Sequence, residues 1–543
     1  MIVVLRIAGL AVAALPLLLI GGDTASLAAG HPNAAAASGA PAARNPSHSR
    51  LWGADGDQWD PRGRLPDFSY AGYQGGGKAI PDVAAVRDMK RDFGAKGDGR
   101  TDDTAAFLRA IQEAPDGALF IPRGRYVIQR DLRIERSRLV LRGEGPDKTV
   151  LYFTKSLTDL YGPNREWSWT GGMIDVGAWG KDWFLTTVSA PAKRGDRMLK
   201  VSVPSRVQPG MMIVLRLTDD AQHTLWNHAH NEQAAYPQIT TCMPMNTLDW
   251  MVQVDAVDVE SKTITLHQPL RADVRPDWSP TIYRPPYIDE IGIEQLGIEF
   301  PPVPYSEHNQ EPGYNAIYFR NYVGNSWVRN VSIFNADSAI HVTGSKWITV
   351  TGITIDANRP PRQPGFWYGH HGLHSESSED ILFEYFIFKK NFQHELGVEH
   401  QNSGSVFHRG GGTGFSNDLR AGPNPAIVAD TSFDLDHHRG WPFENLFTNL
   451  TVPVSFNSSG NLCFGPHSGA RATFWNVPGD FAVPPESGDW WGHIQATIVG
   501  ELPPGMQEAL TAGREWYEHV PGLEPADLYE AQWARPLKRG TTR

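Results

Sequence analysis

Cysteine is nearly absent from this chain of 543 residues, which contains only Cys242 and Cys463. Two distant cysteines form neither a disulfide framework nor a zinc cluster of the usual spacing. An excess of positive charge is also lacking, since the net charge is −11 and the pI is about 5.9. Binding to nucleic-acid phosphates needs a basic face, so these values exclude nucleic acid as the main partner.

Long apolar runs are confined to the N-terminus. After Arg6 the chain reads IAGLAVAALPLLLI, and small residues follow. This pattern predicts a secretory signal peptide over residues 1–29. An uncleaved membrane anchor is the alternative, but the break at Pro16 and an Ala-rich, charge-poor tract favour cleavage followed by a linker over 30–50. No later segment is apolar enough to span a bilayer. We therefore expect a secreted, monomeric protein with no membrane contact after cleavage.

The ordered chain opens near Leu51 with a specific local motif. From residue 92 it reads DFGAKGDGRTDDTAAF, in which the glycines mark a tight loop and Thr101 is expected to cap a helix ending at Glu113. Asp102 and Asp103 lie in the first turn, where the helix dipole favours carboxylates. They resemble a pair of catalytic carboxylates, but no feature of the sequence places them in a cleft, so a structural role is favoured. A strand, a turn and a second strand follow in ALFIPRGRYVI.

This motif resembles the opening segment of the pectate-lyase-like superfamily of right-handed parallel β-helices. The resemblance implies an all-β fold whose N-terminal helix covers the open end of a stack of strands, where unpaired backbone groups would otherwise be exposed. It also implies a protein that acts on polysaccharides as a lyase or a hydrolase. The chain differs from the members of the superfamily that have the clearest sequence motifs, because the NTDG, GHG and RIK series of polygalacturonase-type hydrolases is missing. The specific activity is therefore not inherited from the resemblance.

Two further patterns divide the chain. Alternating apolar residues between 183 and 284 predict an antiparallel β insertion, with a loop around Trp226 that reaches over a cleft. From 285 onward, short apolar units recur every 20 to 30 residues, as Trp327 and Trp347 illustrate, which is typical of stacked parallel strands. The predicted organisation is the first coils at 51–182, the inserted β subdomain at 183–284, the main parallel β-helix at 285–500 and a C-terminal tail at 501–543.

The segment from His370 to Arg439 has the highest density of titratable side chains, since it contains eight of the chain's nineteen histidines. Side chains alternate across a strand, so inward Leu and Val residues at 396, 398 and 435 would send their neighbours outward. This argument places His374, Glu395, Glu399, Asp436 and His438 in a groove, with His371 and His394 inward or at coil corners. The predicted catalytic residues are His374, Glu395, His438, Arg439, His371 and His394, and the predicted substrate-binding residues are Glu399, Arg409, Asp436 and Trp226.

Such a groove suits β-elimination on a uronic-acid polysaccharide. A base removes the proton α to the carboxylate, a cation stabilises the developing charge, and an acid protonates the leaving oxygen. We assign His438 as the leading base, Arg439 as the carboxylate partner and His374 as the acid. The partner would then be an acidic polysaccharide.

Two alternatives to elimination stay open. The first is a glycoside hydrolase that pairs Glu395 with Glu399, Asp434 or Asp436. The second is a non-catalytic carbohydrate-binding β-helix. No cofactor follows from the sequence. Ca2+ stays an option, although the chain shows no clear calcium-binding Asp set of the pectate-lyase kind.

Overall fold

The computed structural model describes residues 47–232, 246–361, 367–412, 433–451, 454–457, 468–480, 496–502, 505–510 and 515–535. The predicted signal peptide, nearly all of the predicted linker, Cys242 and Cys463 lie outside the described residues. No helix in the described ranges is both long enough and apolar enough to cross a membrane.

Strands dominate the described residues. In chain order they are β1 (Ser47–His48), β2 (Ala85–Asp88), β3 (Asp98–Asp102), β4 (Gly117–Phe120), β5 (Gly124–Ile128), β6 (Leu132–Ile134), β7 (Leu139–Arg142), β8 (Thr149–Phe153), β9 (Ile174–Gly177), β10 (Trp183–Thr187), β11 (Met198–Lys200), β12 (Met212–Thr218), β13 (Thr247–Asp258), β14 (Thr263–Leu266), β15 (Thr281–Arg284), β16 (Ile288–Asp289), β17 (Gly292–Glu299), β18 (Asn315–Arg320), β19 (Val323–Phe334), β20 (Ser338–Thr343), β21 (Lys346–Asp356), β22 (His371–Glu376), β23 (Leu382–Phe388), β24 (His394–Glu399), β25 (Val406–His408), β26 (Gly411–Gly412), β27 (Phe433–His437), β28 (Leu446–Thr448), β29 (Val454–Asn457), β30 (Thr473–Trp475), β31 (Gly479–Asp480), β32 (Thr497–Gly500), β33 (Ala509–Leu510), β34 (Trp516–His519) and β35 (Leu523–Glu524).

Helices are few and short in the same residues. The α-helices are α1 (Met89–Phe93), α2 (Thr104–Glu113), α3 (Leu157–Tyr161), α4 (Thr224–Ala229) and α5 (Leu528–Ala534), and single 3-10 turns occupy Arg165–Ser168, Pro204–Arg206 and Pro276–Trp278.

The strands stack as a right-handed parallel β-helix, so the predicted all-β class is confirmed, while the capping role of the N-terminal helix stays a prediction. Nine parallel strands form one wall in the order β6, β9, β18, β20, β22, β24, β27, β29 and β31, which we call the site sheet. A sheet of eighteen strands forms the rest of the coils. Strand β34 still pairs in parallel with β32, so the stacking continues past residue 500 into the segment predicted as a tail.

Stacked aromatic rings fill the interior between the two sheets. Phe383, Phe407, Phe447 and Phe474 occupy the same position on β23, β25, β28 and β30, and their ring centroids are 4.5, 5.0 and 5.3 Å apart in succession. All four side chains are fully buried. Because one ring per coil repeats along the axis, each coil covers the apolar face of the next.

The N-terminal motif folds around Asp103. The helix begins at Thr104 and not at Thr101, whose hydroxyl donates instead to Asp98. The buried carboxylate of Asp103 accepts the backbone N–H groups of Lys96 and Gly97 at 2.6 and 2.9 Å. Asp103 therefore holds the glycine loop in place, which supports the structural role favoured for it. The apolar face of α2 joins the main core, where Phe107 packs edge-on against a tyrosine of β5.

An antiparallel sheet of six strands lies between the first coils and the main stack. Its order is β10, β15, β12, β13, β14 and β11. The coil continues across it, since β9 pairs directly with β18 and β8 pairs with β17. The sheet coincides in the chain with the predicted insertion at 183–284, whose limits as a separate domain stay a prediction.

Buried ion pairs join this sheet to the β-helix. Arg271 donates to Asp380 and, at 3.1 Å, to Glu444, and both carboxylates are almost fully buried. Lys346 donates to the same Asp380 at 2.6 Å, and Arg194 donates to Glu444 at 2.7 Å. These charges satisfy one another within a low-dielectric contact, where an unpaired charge would be costly.

Candidate functional site

The register of the site sheet brings polar residues from successive coils into one row. His341 on β20 lies beside His374 on β22, which lies beside Gly397 on β24, which in turn lies beside Asp436 on β27. Two residues further along, Glu376 lies beside Glu399 in the same way. Adjacent parallel strands are about 4.8 Å apart, so side chains of neighbouring coils are within contact distance.

Gly397 leaves the space that the His374 ring occupies. A Cβ atom at this position would lie 2.2 Å from His374 Nδ1, which is too close for any side chain. The backbone of Gly397 is ordinary strand backbone, so the glycine is required by this contact and not by its conformation. The sequence thus makes room for an imidazole between two coils.

Glu399 links three charged or titratable groups. Its carboxylate accepts from Arg439 Nε at 2.7 Å and lies 3.3 Å from His374 Nε2 and 3.4 Å from His400 Nε2. Burial would raise the pKa of Glu399, but His400 and His438 outweigh it and hold the pKa well below its usual range. Burial is also the main reason why the pKa of His374 is lowered.

Asp436 forms a second histidine–carboxylate pair on the next coil. His438 Nδ1 lies 2.6 Å from Asp436 Oδ2. Burial would lower the pKa of His438, but Asp436 and then Glu399 outweigh it and raise the pKa to about 9. Burial acts on Asp436 in the opposite sense and is outweighed by His438 and His394, so the pKa of Asp436 is held well below its usual range. We call His374, Glu399, Asp436, His438 and Arg439 the acid–base cluster.

A row of imidazoles borders the acid–base cluster. The His371 ring stacks on that of His370 with 3.8 Å between centroids and lies 4.7 Å from that of His374. The His394 ring lies 5.5 Å from that of His371 and 6.2 Å from that of His438. The histidines at 371 and 394 are the first residues of their strands, which agrees with the predicted corner position, but their rings join the polar group.

Glu395 does not face the groove as predicted. Its two carboxylate oxygens accept the backbone N–H groups of Phe392 and Asp434, each at 2.8 Å, and its side chain is buried. Burial, followed by the nearby charge of Asp434, raises the pKa of Glu395 well above its usual value. The carboxyl group therefore ties one coil to the next.

Arg409 and Trp226 also lie away from the acid–base cluster. Arg409 follows a strand of the larger sheet and pairs with Glu530 of α5 at 2.5 Å. Trp226 lies on α4 and not on an open loop, and it is 2 % exposed with its ring 5.2 Å from that of Trp441. Its ring packs in the hydrophobic core of the antiparallel sheet and not against the acid–base cluster, so the predicted substrate contact of Trp226 is wrong.

Three groups at the site are not among the residues predicted from the sequence: His308, His341 and Glu376. His341 could have been found from the coil length, because His341 and His374 are separated by 374 − 341 = 33 residues, the same spacing as their paired neighbours at 338 and 371. His308 comes from the loop before β18, which no strand pattern locates.

Two sets of side chains in the described ranges have the geometry of metal ligands. One comprises His308, His370 and His394, and the other comprises Glu376, Glu399 and His400. Ca2+ prefers six to eight oxygen ligands. Neither set matches that preference, since the first offers only nitrogens and the second offers two carboxylates already engaged by His400 and Arg439.

Comparison with known proteins finds a similarity for the N-terminal coils. Residues 86–184 match the family described as rhamnogalacturonase A/epimerase, pectate lyase-like. The pre-neck appendage protein of Bacillus phage B103 is 39% identical over 101 residues, which are 19% of this chain and 11% of that protein. The chain thus spans about a tenth of the length of that curated relative.

Solved structures with similar coils share little sequence with this chain. The tailspike protein gp49 from Pseudomonas phage LKA1 is 12% identical and has a TM-score of 0.45, with 76% of this chain and 64% of that chain covered. The exopolygalacturonase from Thermotoga maritima is 13% identical, with a TM-score of 0.30 and coverage of 74% and 73%. The A-module of a mannuronan C-5 epimerase from Azotobacter vinelandii is 11% identical, with a TM-score of 0.33 and coverage of 80% and 75%.

Proposed function

We propose that this parallel β-helix protein, whose residues 86–184 match a pectate-lyase-like family, is a secreted carbohydrate-active enzyme that cleaves a uronic-acid polysaccharide by β-elimination. The observation that carries the proposal is the pair of histidine–carboxylate contacts on adjacent coils, His374 with Glu399 and His438 with Asp436. A guanidinium from Arg439 lies against the same Glu399. Elimination needs one group to take a proton, another to deliver one and a cation, and these contacts supply all three.

The proposed roles of the two histidines are the reverse of those inferred from sequence. Asp436 lies closer to its histidine, at 2.6 Å, than Glu399 does to His374, at 3.3 Å. The closer pairing keeps His438 as an imidazolium, which makes it the proton donor to the leaving oxygen. His374 is the proposed base that removes the proton α to the carboxylate; its ring is 1 % exposed, so the substrate would reach it from the side of the partly exposed His438 and Arg439. The β carbon–oxygen bond then breaks and a carbon–carbon double bond forms beside the carboxylate.

The carboxyl groups named for hydrolysis support that alternative less well. Both Glu395 oxygens accept backbone N–H groups, and the Asp436 carboxylate is buried against two histidines. A hydrolase needs one carboxyl to donate a proton to the sugar and the other to attack it or activate water. Glu395 would have to break its contacts with the chain before it could do either.

A cavity between the antiparallel sheet and the coils is the proposed site for neighbouring sugar units. It has a volume of about 280 Å³ and lies where β12 and β13 of the antiparallel sheet meet the coils. Asp249, Tyr322, Ser377 and Gln401 are among its lining residues, and the last two directly follow Glu376 and His400 in the chain. Burial is the main cause that raises the pKa of Glu379, also in the lining, to about 8, so this carboxyl group is mostly protonated at neutral pH.

The reaction class is tested by incubating the purified protein with a panel of uronic-acid and neutral polysaccharides. Elimination creates a double bond conjugated to the carboxylate, so ultraviolet absorbance should rise with a uronic-acid substrate and with no neutral one. New reducing ends without that absorbance would identify a hydrolase and overturn the proposal. Retention on immobilised polysaccharide without either product would identify a binding protein.

A further inference from the structure

Three imidazoles converge next to the acid–base cluster. His308 comes from the loop before β18, His370 directly precedes β22, and His394 begins β24. Their ring centroids are 4.5, 5.4 and 6.1 Å apart, and one ring nitrogen from each lies within 4.8 Å of the other two. Three separate parts of the chain therefore bring nitrogen ligands to one point.

Hydrogen bonds fix which nitrogen of two rings is available. His370 Nδ1 lies 2.9 Å from the carbonyl oxygen of Ser168, and His394 Nδ1 lies 3.1 Å from an oxygen of Asp434. Carbonyl and carboxylate oxygens only accept, so each Nδ1 carries a hydrogen, and in the neutral imidazole each Nε2 keeps a lone pair. This arrangement of an oxygen acceptor behind the ring is typical of metal-binding histidines.

The remaining nitrogens of these two rings have no hydrogen-bond partner within the described residues. His370 Nε2 and His394 Nε2 are both buried and accept no hydrogen bond there, although the side chains are only 2 % and 1 % exposed. Buried polar atoms without a partner are uncommon and costly. Two of them lie beside the same third imidazole, so a single ligand could satisfy both.

The third ring can adopt the same state. The Gln393 amide lies 3.0 Å from His308 Nδ1, and its oxygen has no hydrogen-bond partner among the described side chains. A half-turn of the amide places that oxygen against Nδ1, where it accepts the Nδ1 hydrogen. His308 would then also present a lone pair on Nε2.

We propose that His308, His370 and His394 bind a divalent transition-metal ion such as Zn2+ through their Nε2 atoms. Three neutral imidazoles suit Zn2+ and its neighbours and do not suit Ca2+ or Mg2+, which prefer oxygen. Zinc–nitrogen bonds of about 2.0–2.1 Å at tetrahedral angles separate the nitrogens by about 3.4 Å. A bound ion would therefore draw the three rings slightly together, and His308 lies on a loop outside the strands of the coils.

The site leaves a fourth position for water or a substrate oxygen. His308 is only half-buried, whereas the other two imidazoles are enclosed, so the ion would be reached from the His308 side. The ion would lie near His438, whose ring centroid is 6.2 Å from that of His394. Metal binding does not depend on the proposed reaction, so the two can fail separately.

The test is the metal content of the full chain prepared without a polyhistidine tag. After incubation with Zn2+ and exhaustive dialysis, elemental analysis should find about one ion per chain, and Zn2+ should raise the melting temperature because it binds only the folded state. Substitution with Co2+ should give the visible absorption bands of a site with imidazole ligands. His370→Gln and His394→Gln should each lose the ion and the bands.

Two matched controls each remove an imidazole from the same region. His341→Gln takes a ring from the row without touching the three ligands, and His400→Gln takes one from the set with Glu376 and Glu399. Both should retain the ion. Loss from His400→Gln with retention in His370→Gln would overturn the proposal, as would a wild-type chain that holds no ion. If the buried variants do not fold, His308→Gln, which alters a half-buried loop residue, decides the matter by the same readout.

Discussion

Gly397 is the residue on which the position of His374 depends. Because a Cβ atom there would lie 2.2 Å from the imidazole, Gly397→Ala should push the ring out of contact with Glu399. Displacement of a reacting group by about 1 Å lowers turnover on the order of 100-fold. The substitution should leave the far-ultraviolet circular dichroism spectrum unchanged, and initial rates on the substrate found by screening measure the loss.

A double-substitution cycle shows whether the effect acts through His374. In a His374→Ala background the ring is gone, so adding Gly397→Ala should lower the rate no further. An additional loss of similar size in that background would mean that Gly397 acts on some other part of the site.

At the scale of elements, the antiparallel sheet is held to the coils by buried charge. Removing Arg271 leaves Asp380 and Glu444 with fewer cations at a buried contact, so Arg271→Met should lower the free energy of unfolding by about 3–5 kcal/mol. Arg275→Met is the matched control, since Arg275 lies on the same segment and pairs with an exposed Glu232. Its cost should be about 0–1 kcal/mol in the same denaturant titration. Equal costs would refute the role given to the buried pairs.

The docking of α5 onto the coils should depend on pH through His408. This imidazole lies 3.0 Å from both Asp527 and Glu384. Burial would lower its pKa, but these two carboxylates outweigh it and raise the pKa to about 9. The folded pKa exceeds the unfolded value, so the stabilisation is complete below about pH 6.5 and is lost as the pH rises through about 9.

Melting temperatures of the wild type and of His408→Gln at several pH values test the direction of this pH dependence. The difference between the two proteins should be largest near pH 6 and should shrink toward pH 10. A difference that stays constant over this range would show that His408 contributes only packing.

At the scale of the whole molecule, the sequence predicts the architecture better than the orientation of single side chains. Repeated short apolar units and the glycine-rich N-terminal motif are enough to predict a parallel β-helix, because both patterns reflect what the backbone of that fold requires. Alternation predicts that His374, Glu399, Asp436 and His438 lie together, and the structure places these residues in, or directly after, strands of the site sheet. The alternation rule fails for Glu395, because its carboxylate accepts hydrogen bonds from two backbone N–H groups.

The remaining errors have a common physical origin in long-range contacts. Trp226 is buried by Trp441, and Arg409 is engaged by α5, and neither partner is near it in the chain. His308 reaches the site from a loop whose position depends on the coils around it. Local sequence patterns do not encode such contacts, whereas the 33-residue spacing of His341 and His374 does follow from the coil length.

The most direct test of the account compares the wild type with His438→Gln in the ultraviolet assay for elimination. The side chain is partly exposed and pairs with Asp436, so glutamine should preserve the fold and the melting temperature within a few degrees. Loss of a general acid costs on the order of 10²–10⁴ in rate. The account predicts a wild-type protein that produces the conjugated double bond and a variant slowed by that factor. Elimination at an undiminished rate in the folded variant would contradict it.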